Sequence, residues 1–359
     1  MVGSVLRERM AAEDDLARFE PRYFSTSGAG QPGPDGAPLA DAHDLAQLAA
    51  MQVIVTCQGS AYTNATHAAL RSAGWRGYWV DAASALRDHE EATLVLDPVN
   101  GAAVREALHA GCRTFVGANC TVSLMLMGLV GLIRTGEVRW ISTMSYQSAS
   151  GAGARHVREL VAQMRHLGDA AAPLLDDPAA ASLAIDRTIR DALSSPALPT
   201  THFGAPLAGS AIPWIDRHVG DGQTREEQKS GVEANALLGT TDAPLPIDGL
   251  CVRIGAMRSH AQALTIQLRR PMPIDDITAS VSAAHDWVQV VPNQLDATRQ
   301  QLTPAAVAGT LNVRVGRIRA LRLAPNMVAC FTVGDQLLWG AAEPLRRMLH
   351  IIWEIRTAA

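Results

Sequence analysis

The chain has 359 residues, 48% hydrophobic and 18% charged, which is long enough for two domains of ordinary size and too apolar for a disordered chain. A formal charge of −4 leaves no basic footprint and argues against nucleic acid as a main partner. The longest apolar run, at 124–133, is too short to span a bilayer, no signal peptide is visible, and five irregularly spaced cysteines speak against a disulfide framework or a zinc site, so a soluble cytoplasmic protein without a metal is expected.

In chain order, the opening MVGSVLRERM sets Val2, Val5, Leu6 and Met10 on one helical face and Arg7, Glu8 and Arg9 mostly on the other. PRYFSTS at 21–27 reads as a short strand running into a polar turn, and 27–38 as a Gly/Pro-rich surface loop. Strands are expected within 51–60, 77–87, 92–100 and 112–120, with helices at 63–75 and 101–111. Such alternation implies a parallel sheet with helices on both faces, and ligands bind beyond the carboxyl ends of its strands. Those ends are Ser25–Ser27, Cys57–Gly59, Asp81–Arg87, Asp97–Asn100 and Gly117–Cys120. The second half carries longer strands at 138–146 and across 250–270, with a hairpin expected near 257–261 and helices at 154–167 and about 225–238. This is an α+β pattern, a mixed or antiparallel sheet covered by helices. The stretch 335–356 is helical, with Pro344 kinking or restarting it.

Several residues invite chemistry. Cys120 follows a strand and opens an apolar helix, where backbone N–H groups and the helix dipole favour thiolate; the plainer reading is a buried free cysteine. Cys57 is a weaker candidate for the same reason, and Cys112, Cys251 and Cys330 read as core. SYQSASGAGARHVREL is a strand, a small-residue turn and a helix, which could face an anion or cofactor ring or could simply be a tight connection. Thr224 and Glu227 form a capping box, and Glu226 and Lys229 share a helical face, as a solvated ion pair would. Arg253 lies inside an apolar strand and must find a partner or an anion, while His260 sits in an apparent turn, where a histidine is ordinarily just solvated. FSTS offers hydroxyls and no carboxylate at a strand end where NAD binders usually place Asp or Glu, which leans toward NADP.

Taken together, GANCTVSLML, YQSASGAGARHVREL, PLAGSAIPWID, DGLCVRIGAMRSHAQALTI and FTVGDQLLWGAAEPLRRML resemble aspartate-semialdehyde dehydrogenase of the Gram-negative branch, from Met1 to about Leu349. The resemblance implies an α/β fold with a Rossmann-like parallel sheet domain at 1–118, completed by a C-terminal helix at 336–359, and an α+β catalytic and dimerisation domain at 119–335. It implies NADP-dependent, phosphate-requiring interconversion of aspartate semialdehyde and aspartyl phosphate, on the route to lysine, threonine and methionine, by a homodimer. Cys120 then becomes the nucleophile and His260 the general acid/base, with a pKa near working pH. Gln147 matches the residue that positions the substrate, Glu226 and Arg253 the pair that hold its amino and carboxylate groups, and Arg87 and Lys229 the phosphate site. The cofactor contacts fall on Thr26, Ser27, Gln58, Ser150, Gly151, Ala152, Gly153, Ala154, Pro178 and Gln336.

The departure is at the front. Family members carry a strand and a turn like G-x-x-G-x-x-G before and into the opening helix, and here only Gly3 matches. Such a strand would contribute roughly 5–9 kcal/mol of apolar burial. The expectation is therefore a start assigned at an internal methionine, with a poorly stable first domain and weak NADP binding in the 359-residue form. Two alternatives accompany the enzyme reading: a catalytically impaired homologue acting only as a dimer partner, and a related reductase acting on N-acetylglutamyl phosphate.

Overall fold

Apolar runs of four residues in the first third build a parallel sheet in the computed structural model, which describes residues 1–358. The chain divides into two compact units, the first made of 1–130, 231–245 and 337–359, the second of 131–230 and 246–336. In the first unit, β1 (Phe24–Ser25) pairs in parallel with β2 (Ala40–Asp41), and β3 (Val53–Thr56), β4 (Tyr78–Asp81), β5 (Ala92–Val95) and β6 (Thr114–Gly117) form a separate parallel sheet in the order β3-β4-β6-β5. All four residues of β4 and of β6 are buried, as central strands covered on both faces require, whereas β3 alternates. Tyr78, Val80, Val95 and Phe115 pack with Val104 and Leu108 and with Leu345, Met348, Ile351 and Ile352 of the C-terminal helix Glu343–Ala358. That helix is preceded by a π-helical turn at Leu338–Ala342, and Pro344 is its second residue, where a missing N–H costs nothing, so the proline restarts the helix.

The opening helix Val2–Ala12 buries Val5 and Leu6, leaves Val2 and Met10 half-buried, and touches the C-terminal helix and the π-helical turn. The short strand expected within 21–27 is formed at Phe24–Ser25, but in a sheet separate from the four-stranded one. The polar turn follows as expected: the Ser25 hydroxyl accepts from the N–H of Ser27 (3.3 Å) and of Gly28 (2.9 Å).

The second unit contains β7 (Val138–Gln147), β8 (Ala211–Ile212), β9 (His218–Gly220), β10 (Gln223–Thr224), β11 (Ile247–Ile254), β12 (His260–Leu268), β13 (Val288–Val290), β14 (Val313–Ala320) and β15 (Met327–Gly334). Seven of these form a mixed sheet in the order β13-β14-β15-β12-β7-β11-β8. The hairpin expected near 257–261 is not formed. β7 lies between β11, which it pairs in parallel, and β12, which it pairs antiparallel. The ten-residue β7 offers both its edges, and Gly249 lets β11 lie close against it, since a Cβ at 249 would fall 1.7 Å from the Thr143 carbonyl oxygen. Ile141, Thr143, Ser145 and Gln147 of β7 point to the buried face, and Trp140, Ser142, Met144 and Tyr146 to a half-buried one. The Ala154–Leu175 helix packs on the Ser182–Leu193 helix, and the Arg225–Leu238 helix begins at the expected capping box, with the Thr224 N–H donating to Glu227 (2.8 Å) and the Glu227 N–H to the Thr224 hydroxyl (3.3 Å). Among the described residues, no helix is long and apolar enough to cross a membrane.

Candidate active site

In the first unit, Cys120 is the first residue of the Cys120–Ile133 helix, with two residues between it and the end of β6, and is half-buried. Asn119 caps that helix: its side-chain oxygen accepts from the Thr121 N–H (2.9 Å), the Thr121 hydroxyl (2.5 Å) and the Val122 N–H (3.3 Å). The Asn119 N–H donates to Glu233 (2.6 Å), whose other oxygen accepts from Arg87 (3.1 Å). Arg87 also donates to the Gly117 carbonyl (2.9 Å), so the turn that carries Cys120 is held from both sides. Cys57 does not compete as a nucleophile, because burial, then the Asp81 carboxyl, pushes its thiol up to about 12. Cys330 is likewise pushed to about 12 by burial, and Cys251 is buried. At the end of β1 the Thr26 hydroxyl donates to the Gln58 side chain (3.2 Å), which brings two of the expected cofactor contacts together. The neighbouring β2 also sets Asp41 in register with Ser25, so a carboxylate does stand beside this strand end; one of its oxygens accepts from the His43 N–H (2.8 Å).

In the second unit, the polar side chains gather at one end of the sheet. Gln147 is the last residue of β7, and Arg253 of β11 is its register partner. His260 opens β12, the strand on the other side of β7. Glu226 and Lys229 stand on the first turns of the Arg225–Leu238 helix. Gln147 donates to Glu226 (3.3 Å) and to Ser145 (3.2 Å), and Lys229 pairs with Glu226 (2.9 Å) and Asp216 (3.1 Å). Burial opposes the Lys229 charge, but Glu226 and Asp216 outweigh it and hold its pKa above the ordinary value. Arg253 donates to the Ser148 carbonyl (2.7 Å). Gln147, Glu226, Arg253 and His260 are all at least nine-tenths buried.

His260 departs from expectation in its charge. Burial first, then the Arg253 guanidinium, pushes its pKa down to about 3, against a smaller upward pull from Glu226. A site histidine titrating near working pH is not what this environment makes. Nδ1 accepts from the Ser148 N–H (3.1 Å) and lies 3.1 Å from the Ser148 hydroxyl. Gly151 lies over the same ring: a Cβ there would come within 3.0 Å of the His260 Cε1 and Nε2 and 3.2 Å of an Arg253 nitrogen.

The remaining expected cofactor residues fall in the second unit too. Ser150 is buried, Gly151 and Ala154 are exposed, and Ala152 and Gly153 are half-buried in the turn before the Ala154–Leu175 helix. Pro178 is exposed on the loop after that helix. Gln336 is only 2% exposed, with its oxygen accepting from the Ser259 N–H (2.7 Å) and its nitrogen donating to Ser150. Sequence reasoning missed Asn119, Glu233 and Ser148. Asn119 carried a usable signal, an asparagine just ahead of an apolar helix. Glu233 and Ser148 carried none, because their partners lie 114 and 112 residues away.

A family profile described as the semialdehyde dehydrogenase dimerisation domain matches residues 129–339, and one described as the semialdehyde dehydrogenase NAD-binding domain matches residues 1–107. The chain is 42% identical to the solved aspartate semialdehyde dehydrogenase from Francisella tularensis, covering 98% of this chain and 97% of that one with a TM-score of 0.93. Two more distant structures share the fold. Aspartate semialdehyde dehydrogenase II from Vibrio cholerae, solved with ASA, is 19% identical over 98% of this chain and 95% of that one, at a TM-score of 0.80. The Candida albicans aspartate semialdehyde dehydrogenase solved with NADP is 14% identical over 94% and 91%, at 0.61. A sheet-end cluster of a glutamine, a glutamate, an arginine and a histidine, a cysteine at a helix start, and full-length similarity to an enzyme of this kind converge: the chain belongs to the aspartate-semialdehyde dehydrogenase family of semialdehyde dehydrogenases.

Proposed function

We propose that this protein interconverts L-aspartate 4-semialdehyde and L-4-aspartyl phosphate with NADP and phosphate, as a homodimer in the cytoplasm, on the route to lysine, threonine and methionine. The observation that carries this reading is the buried set in the second unit, where Arg253 and Glu226 offer a fork of donors and a carboxylate to opposite charges of one small molecule. A free amino acid has both charges; an N-acetylated one lacks the ammonium that Glu226 would take up. Gln147, already hydrogen-bonded to Glu226, orients the same substrate.

Cys120 is the nucleophile in this proposal. Its thiolate adds to the aldehyde carbon, the hemithioacetal loses hydride to leave a thioester, and phosphate displaces the sulfur. NADP supplies the hydride acceptor in this direction and the donor in reverse. His260 acts at the oxygen of the reacting carbonyl. Arg87 and Lys229 serve phosphate; each now rests on carboxylates, Glu233 for the first and Glu226 with Asp216 for the second, which the anion must draw them from.

The residues present suit NADP. Thr26, Ser27 and Gln58 offer polar groups at the end of β1, and Gly151 to Ala154 form a small-residue turn ahead of a helix. Preference over NAD rests on the Ser25–Ser27 hydroxyls, opposed by the Asp41 carboxylate in register with Ser25, so Asp41→Asn is expected to raise affinity for NADP and leave that for NAD little changed. Dimerisation is supported by the apolar face of the seven-stranded sheet, where Trp140, Met144, Tyr146 and Val252 are half-buried and Leu250 is 52% exposed. Five free cysteines suit a reducing compartment.

The test is a direct one. The protein is incubated with aspartate semialdehyde, phosphate and NADP, and NADPH is followed by absorbance. The expected result is phosphate-dependent NADPH formation, lost by on the order of 10³-fold in Cys120→Ser. Turnover with N-acetylglutamate semialdehyde in place of aspartate semialdehyde would move the assignment to the related reductase.

A further inference from the structure

Both oxygens of the Glu233 carboxylate are engaged inside the first unit. Oε1 accepts from Arg87 Nη1 (3.1 Å) and Oε2 from the Asn119 N–H (2.6 Å), and the residue is only 4% exposed. Both partners can only donate, so both oxygens must accept. A carboxylate meets that demand, whereas the amide of a glutamine would set its NH2 against one of the two. Asn119 is a fixed point, because it caps the Cys120–Ile133 helix and is the residue before Cys120. The guanidinium of Arg87 is fixed at a second place, where Nε donates to the Gly117 carbonyl (2.9 Å) at the end of β6. The turn from β4 to Arg87 is itself shaped by Asp81, which accepts from the Ala83 N–H (2.7 Å). These contacts use two of the five N–H groups of Arg87 and neither of those on Nη2. Held at Nε and Nη1, the planar group cannot rotate, and Nη2 is the arm it presents to an anion.

We propose that Glu233 is a positioning residue of the reaction: it holds the Arg87 guanidinium at a set place relative to the helix start that bears Cys120, so that an oxyanion taken up by Nη2 stands beside the thioester it must attack. The chemistry makes that placement matter. A phosphate oxygen bonds to the thioester carbon and the sulfur leaves as thiolate, a step whose rate depends on how closely the two reactants are held in line. An arginine left to itself has a long, freely rotating stem and would spread the anion over several positions. Glu233 removes that freedom before substrate arrives, and it does so from the backbone N–H next to the nucleophile, which ties the two halves of the step together. Phosphate competes with Glu233 for the charge of the guanidinium but not for the same N–H, so the arrangement favours placement over tight binding. An ion pair that only neutralised a buried charge would not need its second oxygen on the turn of Cys120.

The proposal rests on the dehydrogenase reading for the identity of the anion as phosphate, and its test separates the two. Binding of inorganic phosphate to the whole protein is measured by calorimetry, and turnover of aspartate semialdehyde by steady-state kinetics. Glu233→Gln is expected to weaken phosphate binding and to raise the KM for phosphate by about tenfold or more, with the KM for aspartate semialdehyde little changed. A merely structural residue would move both KM values or neither. In an Arg87→Ala background the same Gln change is expected to have no further effect on phosphate, because Glu233 acts through the guanidinium. Glu233→Asp keeps the charge, shortens the reach by one methylene and is expected to fall between the unmodified protein and Glu233→Gln; it carries the test if the Gln variant does not fold. Phosphate binding unchanged in both variants, equal losses for the two substrates, or full additivity with Arg87→Ala overturns the proposal. Absence of turnover in the unmodified protein overturns the dehydrogenase reading, while calorimetry with phosphate still decides whether Glu233 acts through Arg87. Absence of phosphate binding in the unmodified protein overturns the positioning role as well.

Discussion

Gly151 shows how a small residue can be set by chemistry and not by backbone. A methyl group there would meet the His260 ring at 3.0 Å and Arg253 at 3.2 Å, so one of them must move. Gly151→Ala is expected to lower kcat/KM by roughly 10²-fold, as small displacements of reacting groups do, with little change in thermal unfolding. Steady-state kinetics beside a melting curve checks it, and full activity would mean that the ring tolerates displacement. In the sequence Gly151 was visible as part of a small-residue turn and, through the resemblance, as a cofactor contact. Cys120 was readable because strand, turn and helix are contiguous around it, and so was the capping box, whose partners are three residues apart. The state of His260 was not readable. An apparent turn histidine ought to be solvated, yet it is 1% exposed, because β12 begins at that residue and lies against β7.

Two strands joined by five residues look like a hairpin, and here β7 stands between them. Alternation shows which side chains face inward but not which strand lies alongside, since pairing with β7 on either edge satisfies the same pattern. That choice brings Gln147, Arg253 and His260 to one end of one sheet. In the first unit the opening and C-terminal helices are joined by a buried ion cluster. Asp15, 1% exposed, accepts from Arg346 (2.6 and 3.1 Å) and lies 2.6 Å from His350 Nε2, while Glu343 accepts from Arg346 (2.9 Å) and from Arg9 (2.9 Å). Removing Asp15 takes two hydrogen bonds from Arg346 and leaves it Glu343. Asp15→Ala is expected to cost about 1–3 kcal/mol, measured by urea unfolding, as the loss of charged hydrogen bonds does. The opening helix lies against the C-terminal helix and the turn before it.

Each unit holds a histidine that folding keeps neutral, His67 in the first at about 4 and His260 in the second at about 3. Burial leads in both, followed by a neighbouring arginine, Arg71 for His67 and Arg253 for His260. A folded pKa below the ordinary 6.5 means the unfolded chain binds more protons in between, so stability is complete above about pH 6.5 and falls as the pH drops toward 4 and 3. Each group can remove about 1.4 kcal/mol per pH unit within its window. Asp81, raised by burial, works the other way between its ordinary 3.8 and its higher folded value. Denaturant unfolding from pH 8 to 5 is expected to show falling midpoints, and His67→Gln should flatten the slope. A flat profile in the unmodified protein would mean that neither histidine is kept neutral.

The family, the two kinds of sheet and the place of Cys120 at a helix start were carried by the sequence, because contiguous motifs and hydrophobic period record local structure directly. What the tertiary structure decided was the environment of the polar groups: which strand flanks β7, that Ser148 faces Nδ1 of His260 across 112 residues, that Arg253 stands near the same ring, and that Arg87 rests on Glu233. Burial and neighbouring charge set protonation and hydrogen-bond direction, and both arise only when distant segments are brought together.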